Sequence, residues 1–252
     1  MIIEGRTVLV TGGNRGIGEG FVEEFLARGV HKVYVGTRNQ SAADHLVAQD
    51  PARVVAVELD VTRQEQIDAA ALRCTDVDIL INNAGVFVNQ LLIGASDIDG
   101  ARQEMEVNYF GSLRMCRAFA PILGGRGGGA IANVLSAAAI VGVPAMGGYS
   151  PAKFASRAMA ACIRAELAPQ NTQVCSLIVG SVDTRMAEHV EGRKESPRDI
   201  ARAGIKAIEE GQNEVDTDPF AQGIRAGLLA SPDKLERNLA LMLGQDTVST
   251  GR

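Results

Sequence analysis

The strongest constraint on the fold is an alternation that begins near residue 6. Short β-branched apolar runs occupy residues 6–11, 32–36, 54–59, 77–81, 130–135 and 173–179, and amphipathic helical patterns lie between them. Strands separated by helices pair in parallel, because a parallel pair needs a long crossover where a hairpin needs only a turn. The chain is therefore expected to be α/β, a three-layer, doubly wound and mainly parallel sheet with helices on both faces. Right-handed crossovers bring the C-terminal ends of such strands to one edge. Four polar or glycine-rich stretches follow strand ends and so should meet there: residues 12–18, 82–85, Ser136 and 180–184.

The first of these reads Thr11-Gly12-Gly13-Asn14-Arg15-Gly16-Ile17-Gly18, between the first strand and a helical pattern carrying Phe21, Val22, Phe25 and Leu26. Glycines let backbone approach a ligand without a Cβ in the way. A helix N-terminus offers free N–H groups and a positive dipole end to a phosphate. The spacing Gly-x-x-x-Gly-x-Gly differs from Gly-x-Gly-x-x-Gly, but its place after a first strand suits a dinucleotide. About twenty residues later, where an acid would take the ribose hydroxyls of NAD, stand Thr37 and Arg38. With Arg15 in the loop, two guanidiniums are expected near a 2′-phosphate, which favours NADP(H). Asp60, at the end of the third strand beside Val61, either accepts from an adenine amino group or caps the next helix, near Thr62.

A second constellation is Tyr149-Ser150-Pro151-Ala152-Lys153. Ser-Pro reads as a helix start, and residues at i and i+4 share a helix face. The phenol and the ammonium should then lie side by side. A neighbouring ammonium favours phenolate, so the Tyr149 pKa is expected below its ordinary value of about 10. That would make Tyr149 a general acid or base near neutral pH. Ser136 is placed to hydrogen-bond a substrate oxygen. Asn108 interrupts a long helical pattern over 99–122, three residues before Gly111. Mid-helix asparagine is either exposed or a deliberate perturbation.

Other classes are excluded. The net charge of −5 and the pI of 5.3 argue against nucleic acid or an anionic membrane surface. Cys74, Cys116, Cys162 and Cys175, with His31, His45 and His189, show no metal-ligand spacing, so no metal is expected. No apolar run reaches membrane-spanning length and no basic-then-apolar leader precedes residue 6, so a cytoplasmic location is expected. The 252 residues suit one domain, 1–252. Residues 123–129 read as a flexible loop, and 137–148 as an apolar wall or simple packing. A polar stretch starting at 185 reads as a substrate lid reaching to about 215. Helices are expected near 197–211, 219–229 and 232–243, a short strand at 213–217, and a frayed tail over 244–252.

Taken together these motifs resemble the short-chain dehydrogenase/reductase family, a single-domain Rossmann fold. The glycine loop matches its cofactor motif, Asn82-Asn83-Ala84-Gly85 its second signature, and Asn108, Ser136, Tyr149 and Lys153 its catalytic tetrad in order and spacing. The resemblance covers residues 6 to about 185. It implies hydride transfer between a nicotinamide and a small carbonyl or alcohol. Tyr149 would move the hydroxyl proton and Ser136 polarise the carbonyl. Lys153 would bind the nicotinamide ribose, and Asn108 hold a water in a proton relay. It also implies cofactor contacts from Gly12, Asn14, Arg15, Gly16, Ile17, Gly18, Thr37, Arg38, Asp60, Val61, Asn83, Ala84, Gly85, Tyr149, Lys153, Gly180, Val182 and Thr184, and a homodimer or homotetramer. One departure is Val179-Gly180 where the family has Pro-Gly, which is expected to loosen this backbone. The lead expectation is an NADPH-dependent carbonyl reductase for an aldehyde or ketone with an apolar body. The alternatives are a 3-oxoacyl-thioester reductase and a non-catalytic NADP(H)-binding sensor.

Overall fold

The computed structural model describes residues 1–188 and 190–243; the expectation for the tail over 244–252 lies outside them. Seven strands form one parallel sheet: β1 (Thr7–Thr11), β2 (Lys32–Thr37), β3 (Val54–Glu58), β4 (Ile79–Asn82), β5 (Gly129–Val134), β6 (Thr172–Ile178) and β7 (Glu214–Asp216). Their order is β3-β2-β1-β4-β5-β6-β7, and every pairing is parallel. The order reverses between β1 and β4, which opens a crevice at their C-terminal ends. The glycine loop leaves β1 there, and Asn83 leaves β4 beside it.

Nine α-helices accompany the strands among the described residues: α1 (Gly16–Ala27), α2 (Asp44–Gln49), α3 (Gln64–Arg73), α4 (Asp99–Met105), α5 (Ser112–Gly125), α6 (Tyr149–Leu167), α7 (Pro197–Glu209), α8 (Pro219–Ala230) and α9 (Pro232–Ala240). Alternation along β1 divides the core. Val8 and Val10 face α1 and α7, among Phe21, Phe25, Ile205 and Ile208. Leu9 faces the opposite layer, among Ile67, Phe119, Leu123 and Met159. Side chains at i and i+2 share a sheet face, so an all-apolar strand is what a two-sided cover requires.

Short α2, preceded by a 3₁₀ turn at Gln40–Ala43, fills the β2–β3 crossover. Several expectations change. Gly124 and Gly125 complete α5, so the loop read over 123–129 shrinks to 126–128. The region read as a lid over 185–215 divides. Among the described residues, 185–196 carry a 3₁₀ turn at Arg185–Ala187 and a single parallel bridge from Glu195 to Val182. Helix α7 buries Ile200, Ala201, Ile205, Ala207 and Ile208 in the core. Its strong apolar stripe wins over the polar composition around it.

Gly18, in the first turn of α1, shows how closely the cradle is built. A Cβ there would meet the Gly12 carbonyl oxygen and stand 2.6 Å from Asn83 Nδ2. Gly18→Ala is expected to destabilise the fold by about 2 kcal/mol, the cost of overpacking a rigid site. A fall in Tm of roughly 5 °C on thermal denaturation would show it. An unchanged Tm would mean that the loop and Asn83 yield freely.

Candidate active site

A cleft of about 1320 Å³ runs along the C-terminal edge of the sheet. Of the expected catalytic and cofactor-contact residues, all but Gly18 and Asn108 line it. It extends from Arg38 and Asp60 at one end, past the glycine loop and Thr184, to Ser136, Tyr149 and Lys153 at the other.

The glycine loop is held by the second signature. Asn83 Nδ2 donates to the carbonyls of Thr11 (3.0 Å) and Gly12 (3.1 Å), and the backbone N–H groups of Asn83 and Ala84 donate to Thr11 Oγ1 at 2.9 and 3.0 Å. The Asn83 amide therefore works on the protein, locking the two strand ends together. Gly12 and Gly16 have φ of +61° and +56°, a region that favours glycine. A Cβ on Gly16 would stand 3.2 Å from Thr184 Cγ2, across the mouth of the cradle. These bare glycines at the start of α1 leave the shape and the dipole that a pyrophosphate needs, so a dinucleotide fits.

At the β2 end, Thr37 is buried and its hydroxyl donates to Asn39 O at 3.2 Å, shaping the turn that carries Arg38. Among the described residues, neither Arg15 nor Arg38 takes part in an ion pair, and both line the cleft. Two guanidiniums outside ion pairs are the donors that an anion such as a phosphate would need. The carboxylate of Asp60 accepts from Thr62 N (2.9 Å) and Thr62 Oγ1 (2.7 Å) in a tight turn. The helix that follows begins later, at Gln64, and Arg63 precedes it. The capping role read for Asp60 is thus replaced by a turn that leaves the residue on the cleft wall.

At the other end Tyr149 opens α6, with Gly148 before it, and Lys153 follows one turn on. The Lys153 Nζ lies 5.4 Å from the centre of the Tyr149 ring. It donates to Val134 O at 2.9 Å and is 5% exposed. Burial lowers its pKa to about 8. Tyr149 moves against the sequence expectation: its pKa is pushed up to about 12. Burial of the phenol is the largest cause, a hydrogen bond with Ser136 acts against it, and Glu104 adds to the rise. Desolvation penalises phenolate more than the hydrogen bond with Ser136 favours it. The side-by-side placement is as read; the direction of the shift in the protein alone is not.

Asn108 proves to be a perturbation and not an exposed position. Residues Glu106–Gly111 form a π-helical turn between α4 and α5. Such turns free backbone groups from the regular ladder. Here the Asn108 carbonyl accepts from Ser112 Oγ (3.0 Å) and Ser156 Oγ (3.1 Å). The side chain clamps both backbone groups of Val86, accepting from its N–H and donating to its carbonyl at 3.0 Å each. Gly111 is needed because a Cβ would come within 2.7 Å of Val61 Cγ2. Asn108 thus fixes the chain after Gly85 from behind the cleft.

Two residues were missed by the sequence reading. Glu104 is 1% exposed on α4 and accepts from Val88 N at 2.8 Å; burial raises its pKa. Phe87 meets the Tyr149 ring edge-on, with centroids 5.4 Å apart. Both lie in stretches without a recognisable motif. The apolar spacing of α4 could not reveal a carboxylate turned inward.

The comparisons agree with this geometry. A model of the family described as "short chain dehydrogenase" matches residues 6–195. A short-chain dehydrogenase of Burkholderia cenocepacia, solved in complex with NADP, superposes with a TM-score of 0.89 at 44% identity, over 95% of this chain and 99% of that one. The short-chain dehydrogenase PC-15 of Penicillium crustosum is 37% identical over 72% of this chain and 68% of its own length. A D-xylose 1-dehydrogenase of Caulobacter vibrioides is 30% identical over 74% and 75%. With the cradle, the tyrosine–lysine pair and the π-helical asparagine in place, the chain belongs to the short-chain dehydrogenases and is an oxidoreductase of that family.

Proposed function

We propose that the protein is an NADPH-dependent carbonyl reductase, acting on an aldehyde or ketone with an apolar body. The observation that carries this reading is the pair Arg15 and Arg38, two guanidiniums without ion-pair partners among the described residues, at one end of a cleft whose other end holds Ser136, Tyr149 and Lys153. The NADP complex of the Burkholderia protein, at 44% identity, supports the cofactor choice. When bound, the nicotinamide supplies the hydride.

The chain's own residues do the rest. Ser136 Oγ and the Tyr149 hydroxyl orient the carbonyl oxygen and polarise it. The Tyr149 phenol, protonated throughout the neutral range by its raised pKa, delivers a proton to that oxygen. Lys153 stands behind it as a buried cation, which lowers the cost of the phenolate left behind. Phe87, Val86 and Leu135 line this end and exclude water around the reacting oxygen. The same walls favour an apolar substrate body. Exposed Phe110 and Phe154, at the π-helical turn and on α6, support a homo-oligomer as the working form.

The test is a fluorescence titration with NADPH and NADH, followed by a panel of aldehydes and ketones read by reduced-nicotinamide absorbance. NADPH is expected to bind preferentially and to be oxidised by apolar members of the panel. NADPH binding without turnover across the panel would overturn the reductase reading, and NADH preference the assignment of Arg15 and Arg38.

A further inference from the structure

The wall opposite the glycine loop is formed by Val179, Gly180, Val182, Asp183 and Thr184, and it lacks the proline that would stiffen it. Its backbone is nevertheless tightly held. On one side Ala137 N, next to Ser136, donates to Val179 O at 2.8 Å. On the other side Gly180 N donates to Asp218 Oδ2 at 2.7 Å. Asp218 stands just beyond β7 and just before α8, and is 2% exposed. Its second oxygen, Oδ1, accepts from Ala221 N at 3.0 Å and caps α8. Thr217 Oγ1 also donates to Asp218 Oδ2 at 3.0 Å, and Thr217 N donates to Ile178 O at 3.0 Å.

The geometry is that of a ladder extended by a side chain. The β6–β7 pairing ends with Ile178 opposite Asp216, and Thr217 bonds back to Ile178. The next N–H pointing toward β7 is that of Gly180, and the carboxylate of Asp218 takes it in place of a strand carbonyl. The space is filled: a Cβ on Gly180 would meet Asp218 Oδ1 and stand 2.8 Å from Phe220 Cβ. A proline would fix φ at residue 179. Asp218 fixes the following amide instead, with a charge-assisted hydrogen bond in a buried setting.

We infer that Asp218 is a positioning residue: one carboxylate caps α8 and pins the Val179–Gly180 backbone, so the C-terminal part of the chain sets the nicotinamide wall of the cleft. This rests on the reading of 180–184 as a cofactor contact. It explains how a wall without the proline stays in register with Ser136 across β5 and β6.

The two roles separate by length. Asp218→Ser retains a hydroxyl able to cap α8 but is too short to reach Gly180 as well. Asp218→Asn keeps the length but only one acceptor oxygen, so its amide NH2 would face the N–H of either Gly180 or Ala221. In the full chain, Asp218→Ser is expected to raise the KM for NADPH about tenfold and lower kcat, the effect of one lost charge-assisted hydrogen bond. Asp218→Asn, which can accept from only one of the two amides, should also raise the KM for NADPH, by no more than Asp218→Ser does. In the wild-type protein the Gly180 amide should exchange slowly with deuterium, a readout that needs no variant to fold. Wild-type NADPH kinetics in a folded Asp218→Ser, or fast exchange at Gly180 in the wild type, would overturn the inference and leave the cofactor reading standing. A wild-type protein that does not bind NADPH would overturn the cofactor reading and this inference with it.

Discussion

Tyr149→Phe is expected to lower kcat for carbonyl reduction by about 10²- to 10⁴-fold while leaving the Kd for NADPH within about threefold. The ring stays, so its edge-on contact with Phe87 and its closeness to Lys153 are kept. The proton goes. No other donor replaces it well: Ser136 Oγ accepts from Ala138 N at 3.2 Å, and its own proton is far less acidic than a phenol's. Steady-state kinetics beside a fluorescence titration would measure both quantities. Retained turnover would remove Tyr149 from the chemistry.

The pH dependence of the wild type carries the same argument. Burial pushes the Tyr149 pKa up to about 12, so the proton donor for reduction is present at every pH from 6 to 9. Reduction should not weaken in that range through loss of this proton. Alcohol oxidation needs the phenolate, and its rate should climb with a slope of about one log unit per pH unit below the operative pKa. Lys153, lowered to about 8 by burial, loses its charge on the way. Above that pH it no longer favours the phenolate, so the oxidation profile should bend there. In Tyr149→Phe the slope should vanish. A slope that survives would mean that another group takes the proton.

This case shows which parts of the site a sequence displays. Backbone-limited features were legible, because they restrict residue type. The glycine loop must be bare, strands covered on both faces must be apolar, and the Tyr149–Lys153 spacing is fixed by one helical turn. The Ser150-Pro151 step marked the start of helix α6 to within a residue of its first position, Tyr149. Features set by burial were not legible. The sequence puts an ammonium beside Tyr149 and suggests a lower pKa, but desolvation depends on Leu135, Phe87 and the neighbouring helices, none of them near in sequence. Glu104 and Asp218 are ordinary acids in a string of letters. Only the fold turns one under Val88 and the other against Gly180. The π-helical turn at Asn108 lies between these cases: the asparagine and Gly111 marked a perturbation, and the hydroxyls of Ser112 and Ser156 that stabilise it became visible only in three dimensions.

The second large effect concerns the other end of the cleft. Arg15→Ala/Arg38→Ala is expected to raise the KM for NADPH by about 10²-fold and to leave that for NADH within about threefold. Each guanidinium bound to a phosphate contributes roughly 1.5 kcal/mol when partly exposed, about a tenfold change in affinity. The two act on one group, so their effects are coupled and the pair is better tested than either alone. The contrast between cofactors is the decisive part, because the two differ only in the 2′-phosphate. Loss of general positive potential would weaken both, and collapse of the Thr37–Asn39 turn would weaken both as well. Salt separates the same alternatives: exposed guanidiniums are screened, so the wild-type KM for NADPH should rise between low and physiological ionic strength, and the double variant should lose most of that dependence. Kinetics with both cofactors at two salt concentrations would measure it. An equal loss for NADPH and NADH would show that Arg15 and Arg38 shape the loop and do not read the phosphate.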